Sequence, residues 1–267
     1  MILSAWLDLP IWLMASSLIG FFVFVSGVIA ALSNIPATRR HLHENTVGTV
    51  PTFFSSIGLL LALLTGFVAN DAWDRHRQGA RVVQSERASL IAVYDISIAA
   101  NSDMAEIRRT LLSYTNAILD DEWPMMANGT SSAIAGEALS KLMQLASNPN
   151  ITVESGTVAH TALLNQVLAL RASRSERLAL NSSEGNDSKW ITLLALAALT
   201  MTAIGIVHVE RPRAQAVTLT LFSLAMLVTL AVIVLHEQPF DGPLAIGPDA
   251  YQRAKSVMLS VKPDTSE

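Results

Sequence analysis

Four uncharged stretches decide most of what this chain can become. Residues 11–32 and 214–235 are each 22 residues long without an Asp, Glu, Lys or Arg; 46–69 is likewise uncharged, and 190–209 carries only His208, near its end. At 1.5 Å per residue, 22 helical residues rise ~33 Å, enough for a hydrocarbon core of ~30 Å. Lipid offers no water to satisfy a backbone, so spans are helices or closed barrels, and runs this long read as helices. The composition agrees: 51% hydrophobic, 15% charged and a mean hydropathy of +0.41 are too apolar for an ordinary soluble domain. The ten residues before the first run, MILSAWLDLP, hold no Lys or Arg. The run is also longer than a leader core, so it reads as a span and not as a cleaved signal.

The spans divide the chain into a first transmembrane pair (1–69), a helical cytosolic domain (70–189), a second transmembrane hairpin (190–235) and a C-terminal tail (236–267). Only Glu210-Arg-Pro-Arg213 separates the last two runs, which makes them a tight antiparallel hairpin. The expected fold class is an all-α integral membrane protein with two plus two spans and a helical bundle between them.

Within 70–189 the periodicity is helical throughout. Met104, Ile107, Leu111, Tyr114 and Ile118 recur at alternating steps of three and four, an apolar stripe. Asn101-Ser-Asp103 offers caps before it, and Trp123-Pro124 is expected to end it. Further helices are expected over 131–147 and from about 153 towards 181. The stretch TGFVANDAWDRHRQ, residues 65–78, leaves the second span without a proline or a turn cluster. One helix is therefore expected from Thr46 to about Ala100, with Asp71 and Arg75 as an i, i+4 pair and Gly79 as a weak point costing ~1 kcal/mol. Its partner should be the helix that enters the third span through 179–189. Asp120-Asp-Glu122 places three acids together, and pairing with Arg108 or Arg109 is expected to offset them.

Orientation rests on Lys and Arg near the span ends. Arg39, Arg40, Arg211 and Arg213 favour an external bundle, whereas Arg75, Arg77, Arg81, Arg87, Arg174, Arg177 and Lys189 favour an internal one. The second set is larger, so both termini and the bundle are expected in the cytoplasm, with the spans in a bacterial inner membrane.

Several chemistries are set aside. The chain has no Cys, which removes disulfides, thiolate metal sites and Cys nucleophiles. His41-Leu-His43-Glu44 has metal-ligand residue types, but two His at i and i+2 diverge on a helix, and it reads as an interfacial polar loop. No phosphate loop, hydrolase elbow or zinc-protease motif is present, so no enzyme, cofactor or metal is expected. No basic patch with interleaved aromatics points to nucleic acid. The spans lack Asp, Glu, Lys and Arg, which argues against a proton-coupled transporter or a voltage sensor.

One set of short motifs, in order and at fitting separations, resembles the bacterial bestrophin-like family. It comprises Asn45-Thr-Val-Gly48, Thr65-Gly-Phe-Val68 with Trp73, Ala80-Arg-Val-Val-Gln-Ser-Glu86, Tyr114 and Glu122-Trp-Pro124. Arg171-Ala-Ser-Arg-Ser-Glu-Arg177, Pro239-Phe240 and Gly247-Pro248 complete it. Through the two-plus-two layout, the Gly-Phe of the second span and Pro239-Phe240, the family is similar to the bestrophins. Those are pentameric anion channels whose second span lines a pore with a hydrophobic neck.

The resemblance implies a homo-oligomer in a lipid bilayer, inorganic anions as the permeant species, and a neck at Leu59, Leu63 and Phe67. Thr52, Ser56, Gly66 and Asn70 are further candidates for the pore or for close helix packing. Two departures stand out. Phe240 is followed by Asp241-Gly-Pro-Leu-Ala-Ile-Gly-Pro-Asp249, too few acids for the six or more oxygens calcium takes, so no calcium clasp is expected there. The spacing of Phe67 and Trp73 also differs from the bestrophin pattern. The alternative is a non-conducting membrane scaffold or sensor whose cytosolic bundle recruits a partner.

Overall fold

The computed structural model describes residues 11–36, 50–100, 102–127, 129–181 and 187–260. Among them there are helices and turns and no strand. In chain order the helices are α1 (Ile11–Asn34), α2 (Val50–Ala99), α3 (Ala105–Ala117), a π-helical turn (Ile118–Glu122) and α4 (Trp123–Met126). They continue with α5 (Ala133–Ala146), α6 (Asn150–Asn181), α7 (Asp187–Val207), α8 (Pro212–Glu237) and α9 (Asp249–Ser260). Among the described residues four helices are long and apolar enough to cross a membrane, the candidate spans being Trp12–Asn34, Phe53–Ala99, Ser188–Val207 and Pro212–Glu237. The chain is an all-α integral membrane protein. Thr46, His41, His43 and Glu44 lie outside the described residues.

The chain divides into two compact units: 1–74 with 184–237, and 75–183 with 238–267. In the first unit, α1, α7, α8 and the start of α2 share an apolar core. Met14, Leu18, Phe22 and Ile29 come from α1; Trp190, Leu193, Ala197, Met201 and Ile204 from α7; Leu219, Met226, Leu230 and Ile233 from α8. The helical spacing of each set turns one stripe inward. Gly205 lets α1 approach α7, since a Cβ there would run into Ile29. The buried amide of Gln215 closes this junction by donating to Ser33 Oγ (2.9 Å) and to the Gly205 carbonyl (2.7 Å). The α7–α8 link is a tight turn in which Arg211 N–H donates to the His208 carbonyl, and Pro212 opens α8 where its missing N–H has no helical acceptor.

In the second unit, α3 presents Ile107, Leu111 and Tyr114 to the core, as its periodicity predicts. α2 adds Val83, Leu90 and Val93; α5 adds Leu139 and Leu142; α6 adds Leu163, Val167 and Leu170; α9 adds Tyr251, Ala254 and Met258. Ser132 caps α5, its Oγ accepting from Ala135 N–H (3.1 Å) and donating to the Asp121 carboxylate. At the start of α3, Asp103 accepts from Ala105 N–H (2.9 Å), Met104 holds the cap position, and Asn101 lies outside the described residues. α6 begins three residues earlier than expected and bends at Gly156, whose φ of 82° a side chain rarely adopts.

Every residue from 50 to 99 is helical, so no break separates Phe67 from Arg87. Gly79 is not merely tolerated there. A Cβ at this position would come within 2.9 Å of Pro239 Cβ and 3.0 Å of Ile246 Cδ1, so the glycine lets the segment after α8 lie against α2. Within the second unit α2 packs on α6, through Gln78 to Glu176 (2.8 Å), Ser85 to Ser173 (3.1 Å) and Arg75 to the Leu180 carbonyl (3.3 Å).

Two expectations are corrected. Trp123-Pro124 does not end the α3 path: the π-turn widens the helix, and Pro124 falls in the first turn of α4, where no backbone donor is required. Glu122 does not pair with Arg108 or Arg109. Thirteen or fourteen residues of helix set them ~20 Å apart, beyond side-chain reach. Arg108 instead donates to the Ser97 carbonyl (2.6 Å), and Arg109 lies along its own helix at the Ala105 carbonyl. Asp71 also pairs with Lys189 of α7 (2.8 Å).

Candidate functional site

The first unit carries the residues singled out from sequence. On α2 each residue advances ~100°, which places Ser56, Leu59, Leu63, Gly66, Phe67 and Asn70 within an arc of ~100°. All six are exposed in the chain, Leu59 at 61%, Leu63 at 51% and Phe67 at 71%. The opposite arc holds Leu61, Val68 and Ala72, which are buried in the core of the unit. The exposed surface extends past the predicted arc, to Phe53 and Leu60. Among the four spans the second is the least covered by its own chain: 11% of its apolar window is buried, against 22–44% for the others. A Cβ at Gly66 would meet nothing within 4 Å, so no described helix of the same chain needs that glycine. Asn70 closes the apolar run by donating to Asp74 (3.0 Å), one turn on. The Thr52 side chain lies outside the described ones.

Lys189 gathers the ends of three spans in this unit. Its ammonium reaches Asp71 on α2 (2.8 Å) and Glu237 at the end of α8 (2.6 Å). Glu237 is nearly buried, so this charge cluster ties α2, α7 and α8 where hydrocarbon-compatible sequence stops.

The second unit holds a buried ionic network that the sequence reading did not assemble. Glu86, Glu122 and Arg177 have no exposed surface. Arg177 donates from Nε to Glu86 Oε2 (2.8 Å) and from Nη2 to both Glu86 Oε1 (3.2 Å) and Glu122 Oε1 (2.7 Å). Two phenols complete Glu86: Tyr114 donates to Oε1 (2.7 Å) and Tyr251 to Oε2 (2.6 Å). Arg174 forks onto both oxygens of Glu122 and also donates to the Ser132 carbonyl (3.1 Å). The Arg177 guanidinium lies 5.5 Å from the Trp123 ring centre and 5.7 Å from that of Tyr251, a cation held against two aromatic faces. Two arginines and two glutamates leave the cluster formally neutral.

The titrations follow from that geometry. Burial works against charge on Glu122, but hydrogen bonds from Arg174 and the charge of Arg177 outweigh it and hold the carboxyl below its ordinary range. Burial likewise opposes the Arg177 charge, yet Glu86 beside it raises the guanidinium well above its ordinary value. Burial, reinforced by the Glu86 charge, pushes both the Tyr114 and Tyr251 phenols well up. Both phenols therefore stay as donors and Glu122 stays an acceptor across the neutral range.

In the sequence Glu86, Tyr114, Glu122, Arg174 and Arg177 belong to separate motifs. The signal that joins them was present. Glu86 sits between Val83 and Leu90 on the inward face of α2, and an acid on an apolar stripe must find partners. Tyr251, on a helix inside a stretch read only as a tail, had no such signal.

A family model described as a Bestrophin-like domain matches residues 19–251 of the chain. No curated protein matches it. Among solved structures, the chain is similar to a bacterial bestrophin homologue from Klebsiella pneumoniae, at 12% identity and a TM-score of 0.66, over 89% of this chain and 97% of that one. A single-site mutant of that homologue matches with a TM-score of 0.70 at 10% identity, over 92% and 96% of the two chains. At these identities the likeness is one of fold.

Proposed function

The chain belongs to the bestrophin-like family, and from that premise we propose that several copies ring an axis lined by α2 and conduct anions. Leu59, Leu63 and Phe67 form an apolar neck that gates by wetting and drying, with Ser56, Gly66 and Asn70 on the same face and Thr52 preceding them. The single observation that carries this reading is the α2 face itself. It is a continuous exposed arc on the span least covered by its own chain, backed by a buried arc on the opposite side. That division leaves the outward arc to a neighbouring copy or to lipid, and we assign it to neighbouring copies around the axis. The absence of acidic and basic side chains at mid-span suits a pore in which ions shed water at an apolar constriction. Arg77 and Arg81, exposed further along α2, favour anions. The ring is a pentamer, as in the bestrophins the sequence resembles. It sits in a bacterial inner membrane with both termini and the second unit in the cytoplasm, as the Lys and Arg count near the spans supports.

The test is recording from the purified protein in planar bilayers under a KCl gradient. A reversal potential near that of chloride is expected. Silence from a protein seen as a closed ring would reject conduction, and particles with α2 buried away from any axis would reject the neck and leave the scaffold reading.

A further inference from the structure

Apart from α2, a second feature of the molecule has the chemistry of a ligand site. In the second unit α5 and α6 face each other across an open cleft of about 740 Å³, within the range that small-molecule sites occupy. Three cations line it: Arg171 and Arg174, one turn apart on α6, and Lys141 on α5. They are not equally committed. Lys141 pairs with Glu106 at 3.1 Å, but both side chains are more than half exposed and such a pair is weak. Arg171 is exposed and pairs with no acceptor among the described residues.

Arg174 is the anchor. Its Nε and Nη2 are used by Glu122 and the Ser132 carbonyl, which lock the guanidinium plane, and its side chain is only 15% exposed. Nη1 makes no hydrogen bond among the described residues and is not buried. It lies beside Gly136, another lining residue, and a Cβ there would sit 3.7 Å from it. A pre-oriented donor and a free guanidinium one turn away are the geometry that oxyanions take, with the Ser140 and Ser175 hydroxyls at hand for further hydrogen bonds. Trp, Tyr and Phe are all absent from the lining, so no aromatic ring there stacks a nucleobase.

We infer that this cleft binds a compact phosphate-bearing molecule, its phosphoryl oxygens held by Arg174 Nη1 and Arg171, with Lys141 closing from the opposite helix. The Glu137 carboxylate on the same wall repels an anion and weakens its binding. The inference is independent of conduction.

The test is calorimetric titration and thermal shift of the full chain in detergent, at constant ionic strength, with inorganic phosphate and glycerol phosphate against chloride. Saturable binding of the phosphates is expected, chloride giving none. Arg171→Ala, an exposed position outside the buried network, should raise Kd at least ~10-fold, and Glu137→Gln should lower it by about threefold. A short-chain phosphatidic acid separates the sources: equal affinity with glycerol phosphate assigns a soluble ligand, and a strong preference for the lipid assigns a headgroup. No saturable binding, or binding that Arg171→Ala leaves unchanged, overturns the proposal. Because Arg171 is exposed and makes no hydrogen bond or ion pair among the described residues, loss of binding in that variant with an unchanged melting curve is a site effect and not misfolding.

Discussion

Leu59, Leu63 and Phe67 stand half or more exposed on α2, while Glu86, further along the same helix, has no exposed surface and four donors on its two oxygens. The usual order is reversed: apolar side chains face out and charges are inside. Each arrangement is cheap only in its own surroundings. Lipid is as apolar as leucine, so an outward leucine in a span loses nothing and remains available to a neighbouring copy. A carboxylate out of water is costly unless it is paired and hydrogen-bonded, and Glu86 and Glu122 are both. The difference teaches where to look for each role. A residue held by its own chain serves stability, and a residue its own chain leaves uncovered is free to serve assembly or passage.

That contrast breaks most sharply at Arg177. Removing it strands Glu86 and half of Glu122 in a dry interior, and Arg177→Ala is expected to lose ~3–5 kcal/mol, seen in denaturant unfolding in detergent followed by Trp fluorescence. A double variant, Glu86→Leu with Arg177→Leu, should recover much of the loss, because no unpaired charge remains. A single variant as stable as the parent would show that the network does not hold the unit.

The phenols come next. Tyr114→Phe or Tyr251→Phe removes one hydrogen bond to a charged acceptor, and each should cost ~1.5–3 kcal/mol. Both phenols have folded pKa values raised above the ordinary value near 10, so their contribution is complete below pH ~10 and is lost as pH rises further. Glu122 acts in the opposite direction. Its folded pKa is depressed, so its contribution is present above pH ~4.3 and is lost as pH falls below that. Unfolding midpoints from pH 3 to 11 should trace a plateau with both shoulders. The double Tyr→Phe variant should flatten the alkaline shoulder alone.

Gly79 tests a smaller effect. Gly79→Ala gains ~1 kcal/mol of helix propensity and meets Pro239 Cβ, a rigid ring atom, at 2.9 Å. Overpacking of this kind costs ~1–3 kcal/mol, so a net loss of ~1 kcal/mol is expected. A stabilised Gly79→Ala would mean that the segment after α8 can move aside freely.

How much of this was legible follows the same divide. The four spans, the unbroken α2 and the α3 stripe were readable because each depends on local periodicity and on the absence of charge or breaker. The arc of Leu59, Leu63 and Phe67 was readable as a spacing, but its exposure was not, since Leu61 and Val68 on the opposite face are equally apolar. The ion pairs were least readable. Glu122 and Arg174 are 52 residues apart, Glu86 and Arg177 are 91, and Tyr251 joins from 165 residues beyond Glu86. Nothing local ranks Arg177 above Arg108 as a partner for an acid; only the packing of α6 on α2 does so.

The smallest effect on folding is expected where the effect on function should be largest. Leu63→Ala removes an exposed side chain, so neither a cavity nor an unpaired group is created, and unfolding should shift by ~0.5 kcal/mol or less. At an apolar constriction the same change widens and wets the passage. Single-channel conductance or basal open probability should therefore rise in planar bilayers, and Leu59→Ala should follow it. The pairing of measurements separates three cases. Unchanged stability with raised current places Leu63 on the pore face. Unchanged stability with unchanged current in a conducting oligomer places it against lipid and moves the neck elsewhere on α2. A loss of several kcal/mol would mean that a neighbouring copy buries Leu63 tightly, and the outward face would then be an assembly surface first.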